Sequence, residues 1–221
     1  MTPPLAPKLQ RLAHFFVALS HTSTFFLLPF YLQGILHFTP TQVGLTIIFF
    51  SLVIVVLAPI GGWLADRLGS RMLCTVGSVL TAISMFGFAQ LGASSSQIAV
   101  MTPLMLLGLG WSFFQSPNLS GMFNAVEARY VGAVSGLTLT AANIANAMGV
   151  AVGSPLFLRW LNYYGLPGSV VPYTQWANDP EIFIKAFQGS WMVIAALAAI
   201  AIVTSAMRGT DQIETRKEQG E

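Results

Sequence analysis

Six runs of apolar residues, each close to or above the roughly 20 residues that span the hydrocarbon core of a bilayer, divide this chain. They cover about Leu12–Leu36, Val43–Leu64, Leu73–Leu91, Ile98–Phe123, Val131–Phe157 and Phe187–Met207. In lipid, every backbone N–H and C=O must find a partner within its own segment or in a closed barrel. Barrel strands alternate polar and apolar residues; these runs are continuous, so they read as helices. Only 8% of residues are charged and 54% are hydrophobic, against roughly 25% charged in a soluble domain. A soluble fold of this composition would have too little polar surface to cover itself. The single cysteine, Cys74, excludes an internal disulfide and any multi-cysteine metal site. A net charge of +2 without a basic patch gives no footprint for nucleic acid. The expected fold is an all-α membrane protein with six transmembrane helices, its main partner the lipid bilayer.

The connections differ in character. Residues 37–42 and 92–97 are short and uncharged, whereas 65–72 and 124–130 are short and charged. Residues 158–186 hold Gly165, Pro167, Gly168, Pro172 and Pro180 and read as an irregular loop. Trp160, Tyr163, Tyr164, Tyr173 and Trp176 of that loop suit a membrane–water interface. With six spans, one face carries Lys8, Arg11, Arg67, Arg71, Arg129, Arg208, Arg216 and Lys217, and the other only Arg159 and Lys185. The positive-inside rule then puts both termini in the cytoplasm. The chain divides into a cytoplasmic amino-terminal segment (1–11), a six-helix domain (12–207) and a polar cytoplasmic tail (208–221) expected to be disordered. The first apolar run follows Lys8 and Arg11 as a signal peptide would. It is longer than a signal core and contains His14 and His21, so it reads as a retained span.

The turn between the second and third runs is the most specific feature. Gly62-x-Leu64-Ala65-Asp66-Arg67-x-Gly69-x-Arg71 resembles the loop motif of the major facilitator superfamily, Gly-x-x-x-Asp-Arg-x-Gly-Arg-Arg. Spacing, charge order and location agree, and Ser70 departs from the pattern where a basic residue is usual. The flanks Leu28-Pro29-Phe30-Tyr31-Leu32-Gln33, Gln42-Val43-Gly44, Ala58-Pro59, Gln115-Ser116-Pro117-Asn118 and Gly132-x-x-Ser135-Gly136 look like the carboxy-terminal half of the 14-helix drug/proton antiporter subfamily. The resemblance covers about residues 15–207 and implies one six-helix half of a transporter. A matching amino-terminal half or a second copy of this chain would complete it.

The resemblance implies that Gly62, Asp66, Arg67, Gly69 and Arg71 form a conformational gate, clamping neighbouring helices in one state and releasing them in the other. The plainer alternative is a topological anchor. From chemistry alone, Asp66 can accept hydrogen bonds from the start of the next helix, Arg71 can pair with Asp66, and the two glycines permit close approach or positive φ. In the fifth run small residues recur every four positions, at Ala141, Ala145, Gly149 and Gly153, and Gly132 and Gly136 make another pair. Such stripes pack helices closely in lipid. Gly149-x-x-x-Gly153-x-Pro155 resembles a remnant of the family's antiporter glycine motif, so both gating and ordinary packing fit.

Polar groups inside a membrane are costly and face a cavity or a partner helix. No Asp, Glu, Lys or Arg lies deep in a span. The substrate-path candidates are His21, Gln33, Gln115, Asn118, Asn143 and Asn146. His21 is the only titratable group near the middle of a span, and it can serve as a proton switch or rest as a neutral, hydrogen-bonded core histidine. Asn143 and Asn146 share a helix face. Pro117 is expected to break the fourth span and free a carbonyl beside Asn118. Asn118-Leu119-Ser120 fits a glycosylation pattern but lies within a span. Asp179 and Glu181 form a carboxylate pair without a His or Cys partner. Without a nucleophile–base constellation or a phosphate loop, no cofactor, no resident metal and no enzyme activity are expected. The resemblance implies secondary transport by alternating access: proton-coupled export of a small organic or drug-like substrate across a bacterial inner membrane. The competing reading is a membrane interaction subunit, or an inactive remnant, that moves nothing.

Overall fold

The computed structural model describes residues 5–123, 131–165 and 179–207. The charged segment 124–130 with Arg129, the loop residues Tyr173 and Trp176, and the tail 208–221 lie outside the described residues. Six helices follow in chain order: α1 (Leu5–Gly34), α2 (Pro40–Leu68), α3 (Ser70–Ala89), α4 (Gln97–Phe123), α5 (Val131–Tyr163) and α6 (Pro180–Ala206). All six are long and apolar enough to cross a membrane, and among the described residues there is no strand. The fold is therefore an all-α, six-helix membrane domain.

Local chemistry sets several helix ends. Thr39 accepts from the Gln42 N–H while the Gln42 side chain accepts from the Thr39 N–H, a capping box with Pro40 in the first turn of α2. Gly69 ends α2 with φ 88°, its N–H donating to the Ala65 carbonyl. A Cβ is strained in that left-handed region, which is why glycine stands there. Two expectations are corrected. Pro117 does not break the fourth span: α4 runs through Pro103 and Pro117 to Phe123, because proline is tolerated in a membrane helix that neighbouring helices hold in place. The long loop is also shorter than its proline content implied. α5 continues to Tyr163, and α6 begins at Pro180, which is tolerated in a first turn where an N–H would be unpaired anyway.

Packing does not follow chain order. α3 packs most extensively on α4 and α6, α2 lies on α4, and α1 lies on α5 and α6; α4 and α5, though consecutive, barely touch. Glycines set the crossings. A β-carbon at Gly77 would lie 2.7 Å from the Gly110 carbonyl oxygen, so the α3 and α4 backbones are in contact there. One at Gly108 would lie 3.0 Å from a Val53 methyl and 3.1 Å from the Phe50 carbonyl of α2. Gly108 and Gly110 are two residues apart, roughly 200° around the helix, so α4 is wedged between α2 and α3 with a glycine on each side. The main apolar core gathers Tyr31, Phe88, Phe183, Phe187 and Trp191, and a smaller one holds Ala13, Val17, Cys74, Phe114 and Ala201. In the apolar window of α2 only 17% of residues are buried, and in α5 24%, against 56% in α1. α2 and α5 thus present the largest uncovered faces.

Candidate functional site

The polar stretch Ser20-His21-Thr22-Ser23-Thr24 interrupts an otherwise apolar α1. Successive residues turn by about 100° around the helix, so the hydroxyl and imidazole groups spread around it, with Ser20 and Thr24 sharing a face. Ser20 donates to the Phe16 carbonyl and Thr24 to the Ser20 carbonyl, each at 2.8 Å, satisfying themselves on their own helix. Thr22 and Ser23 cross to α5: Thr22 Oγ1 donates to Asn146 Oδ1 at 2.9 Å, and Ser23 Oγ to the Gly149 carbonyl at 2.8 Å. His21 turns the other way, toward α2 and α4. Its ring stacks on Trp111 with centroids 4.2 Å apart and planes at 19°, and lies 4.8 Å from Phe25 and 5.1 Å from Phe50. His21 Nε2 is buried with no hydrogen-bond partner among the described residues, and so is Gln115 Oε1, one helical turn beyond Trp111 on α4.

The other sequence-derived candidates fall elsewhere. Gln33 is half-buried in the last turn of α1, twelve residues or about 18 Å along the axis from His21, so it belongs to a different level of the bundle. Asn143 is exposed on α5. Asn118 lies within α4, and its side chain is outside the described residues. The stripe on α5 seats on α1: a β-carbon at Gly149 would lie 2.7 Å from Thr22 Cβ and 3.0 Å from the Leu19 carbonyl, and one at Gly153 3.2 Å from Ser23 Oγ. Ala145, one turn before Gly149 in the repeat, is buried; the Ala141 side chain is outside the described residues. A β-carbon at Gly132 or Gly136 would meet nothing within 4 Å among the described residues. Pro155 is exposed, and α5 stays helical through it.

At the α2–α3 turn the motif residues divide by role. Asp66 and Arg67 are exposed in the last turns of α2, with the Arg67 guanidinium 4.0 Å over the Trp63 ring, a cation–π contact. α2 runs on to Leu68, which leaves Asp66 inside that helix, and Gly69 starts α3 with no side-chain cap. The expected Asp66 cap of α3 is not made. Arg71 is half-buried and reaches across to α6: its Nε donates to the Ala206 carbonyl at 3.1 Å, and a terminal nitrogen donates to the same oxygen. One turn on, Thr75 Oγ1 lies 3.3 Å from Ser205 Oγ. The charged turn therefore fastens the start of α3 to the end of α6. A β-carbon at Gly62 would lie 3.3 Å from Ser116 Oγ of α4, bringing α2 and α4 together at the same end.

The opposite end is tied as firmly. Tyr31 donates to the Gly92 carbonyl at 2.7 Å and stacks on Phe187 at 4.7 Å; Gln188 Nε2 donates to the Leu91 carbonyl at 2.9 Å. Near the end of α5, Trp160, Tyr163 and Tyr164 form one aromatic cluster.

Sequence reasoning missed the hydroxyl run around His21 and the Trp111 stack. The run itself is a readable signal, since five consecutive polar residues in a span must find partners. The stack joins positions 90 residues apart and had no local signature.

Residues 3–150 match the family model for the Major Facilitator Superfamily. The chain is similar to the riboflavin transporter RibZ of Clostridioides difficile (strain 630), 29% identical over 189 residues, which are 85% of this chain and 40% of that relative. It is also similar to the uncharacterized transporter YebQ of Escherichia coli (strain K12), 31% identical over 183 residues, 83% of this chain and 35% of the relative. A third relative is the tetracenomycin C resistance and export protein of Streptomyces glaucescens, 28% identical over 136 residues, 62% and 25% of the two chains. The chain spans well under half the length of each of these relatives.

Proposed function

The chain belongs to the major facilitator superfamily, and on that premise we propose that it forms the carboxy-terminal six-helix half of a proton-coupled exporter of small organic or drug-like compounds. The observation that carries this reading is the charged turn placed between two membrane-long helices and fastened through Arg71 to α6, joined to the resemblance to transporters whose names include riboflavin and tetracenomycin C. The members of this family that resemble the chain are transporters, not enzymes. The middle of each span carries polar but uncharged side chains, which suits a cargo held by stacking and hydrogen bonds.

The working unit contains this half facing a second six-helix half, either an amino-terminal counterpart or another copy, and sits in a bacterial inner membrane with the charged turn on the cytoplasmic face. The halves rock about a midplane site. Arg71 and Asp66 hold the cytoplasmic ends in one state and let them part in the other. His21 is the group in this half able to exchange a proton near the middle of a span.

The test is efflux of fluorescent drug-like compounds, neutral and cationic, from vesicles holding the protein, with and without a proton gradient, and with Asp66→Asn as the comparison. Gradient-dependent movement lost in Asp66→Asn supports the reading. Absence of movement, with the chain alone or with a counterpart half, refutes it and favours a membrane interaction subunit.

A further inference from the structure

The His21 cluster keeps chemistry unspent after packing is accounted for. Buried polar atoms are almost always hydrogen-bonded, and each exception calls for an explanation. Among the described residues three occur: Trp191 Nε1 in the main core, His21 Nε2 on the ring stacked against Trp111, and Gln115 Oε1 one turn further along α4. Helical side chains lean toward the amino terminus, so Gln115 reaches back over the turn that carries Trp111. Phe50 is buried, while Phe25, His21, Trp111 and Gln115 are each half-buried. Phe25 and Phe50 meet edge-on at 70°.

We propose that His21, Phe25, Phe50, Trp111 and Gln115 form a binding subsite for a flat, uncharged heteroaromatic compound whose edge carries an N–H or O–H donor. Flatness follows from the rings, which accept a further ring by offset or edge-to-face contact. The donor follows from Gln115 Oε1, which can only accept. His21 Nε2 serves either polarity according to its tautomer. Neutrality follows from the absence of any charged side chain in the cluster, where an ion would lose its hydration without compensation. The subsite deepens the transporter reading and rests on it for the statement that the bound compound is cargo.

The experiment uses the full chain in lipid nanodiscs and titrates lumichrome, a neutral tricyclic heteroaromatic with ring N–H donors and carbonyl acceptors, following probe anisotropy. A ring-N-methylated analogue without donors is the matched probe. Wild type is expected to bind lumichrome saturably and the methylated analogue about tenfold more weakly. His21→Phe keeps a ring in the stack but removes the nitrogen, and Gln115→Leu removes the acceptor; each is expected to weaken lumichrome about tenfold and to erase the preference between the probes. Trp111→Ala is expected to abolish binding, and because it risks the fold, the judgement falls on the two milder variants, checked for unchanged melting. Tyr31→Phe, at the far end of α1, binds as wild type. Absence of saturable binding, or binding unchanged in both His21→Phe and Gln115→Leu, overturns the proposal. Lumichrome binding with the expected pattern but no gradient-driven movement would support the subsite and refute the transporter reading. Gradient-driven efflux without lumichrome binding would do the reverse.

Discussion

The α3–α4 crossing gives the sharpest quantitative test. A β-carbon at Gly77 would meet the Gly110 oxygen at 2.7 Å, the Phe114 nitrogen at 2.8 Å and the Phe113 carbonyl carbon at 3.1 Å. All three are backbone atoms, so no side chain can swing aside. Ordinary contact begins near 3.4 Å, and relieving the overlap requires the helices to part by roughly 0.5 Å, loosening the dispersion contacts on either side. Overpacking a tight site costs about 1–3 kcal/mol, and a site walled by backbone belongs at the upper end. Alanine recovers up to about 1 kcal/mol in helix propensity over glycine. The expected net loss for Gly77→Ala is therefore about 2 kcal/mol. Gly44→Ala is the control: a β-carbon there meets nothing within 4 Å, so only the propensity gain remains. The two variants should differ by about 3 kcal/mol, on the order of a hundredfold in the unfolding equilibrium. Denaturant titration in mixed micelles, followed by circular dichroism, measures this. If Gly77→Ala and Gly44→Ala unfold within about 0.5 kcal/mol of each other, the backbones are not in contact and the reasoning fails.

Other expectations follow from the two ends of the bundle. Arg71→Ala removes charge-assisted bonds to the Ala206 carbonyl, worth about 2 kcal/mol in a partly buried setting; amide exchange over Val203–Met207 should speed at least tenfold, and unchanged rates would show that the end of α6 is held by something else. Tyr31→Phe keeps the stack on Phe187 but loses the bond to Gly92, so the unfolding midpoint should fall by the equivalent of about 1 kcal/mol. Thr39→Ala breaks the capping box of α2 and should cost about 1 kcal/mol, seen as faster exchange at Thr41–Val43; exchange there at the wild-type rate would mean the box contributes nothing.

Much of this protein was legible in its residues, for local reasons. Six apolar runs of bilayer length have no other way to satisfy their backbones than as helices, so the number and type of elements followed directly. Gly69 between Leu68 and Ser70 marks a positive-φ break because other residues resist that conformation, and Thr39-Pro40-x-Gln42 is a readable helix start. The four-residue spacing of Ala145, Gly149 and Gly153 announces a close-packing face. Tertiary structure alone decided which helix that face meets. α5 lies on α1 and not on its chain neighbour α4, Arg71 reaches α6 across 135 residues, and Pro117 passes through an unbroken helix because neighbours on both sides hold α4 in place. His21 shows the division most clearly: its residue type marked it as costly in lipid. Its stack on Trp111 and its tilted contact with Phe50 exist only where α1, α2 and α4 converge, since nothing in a helix's own periodicity encodes the identity of its partner.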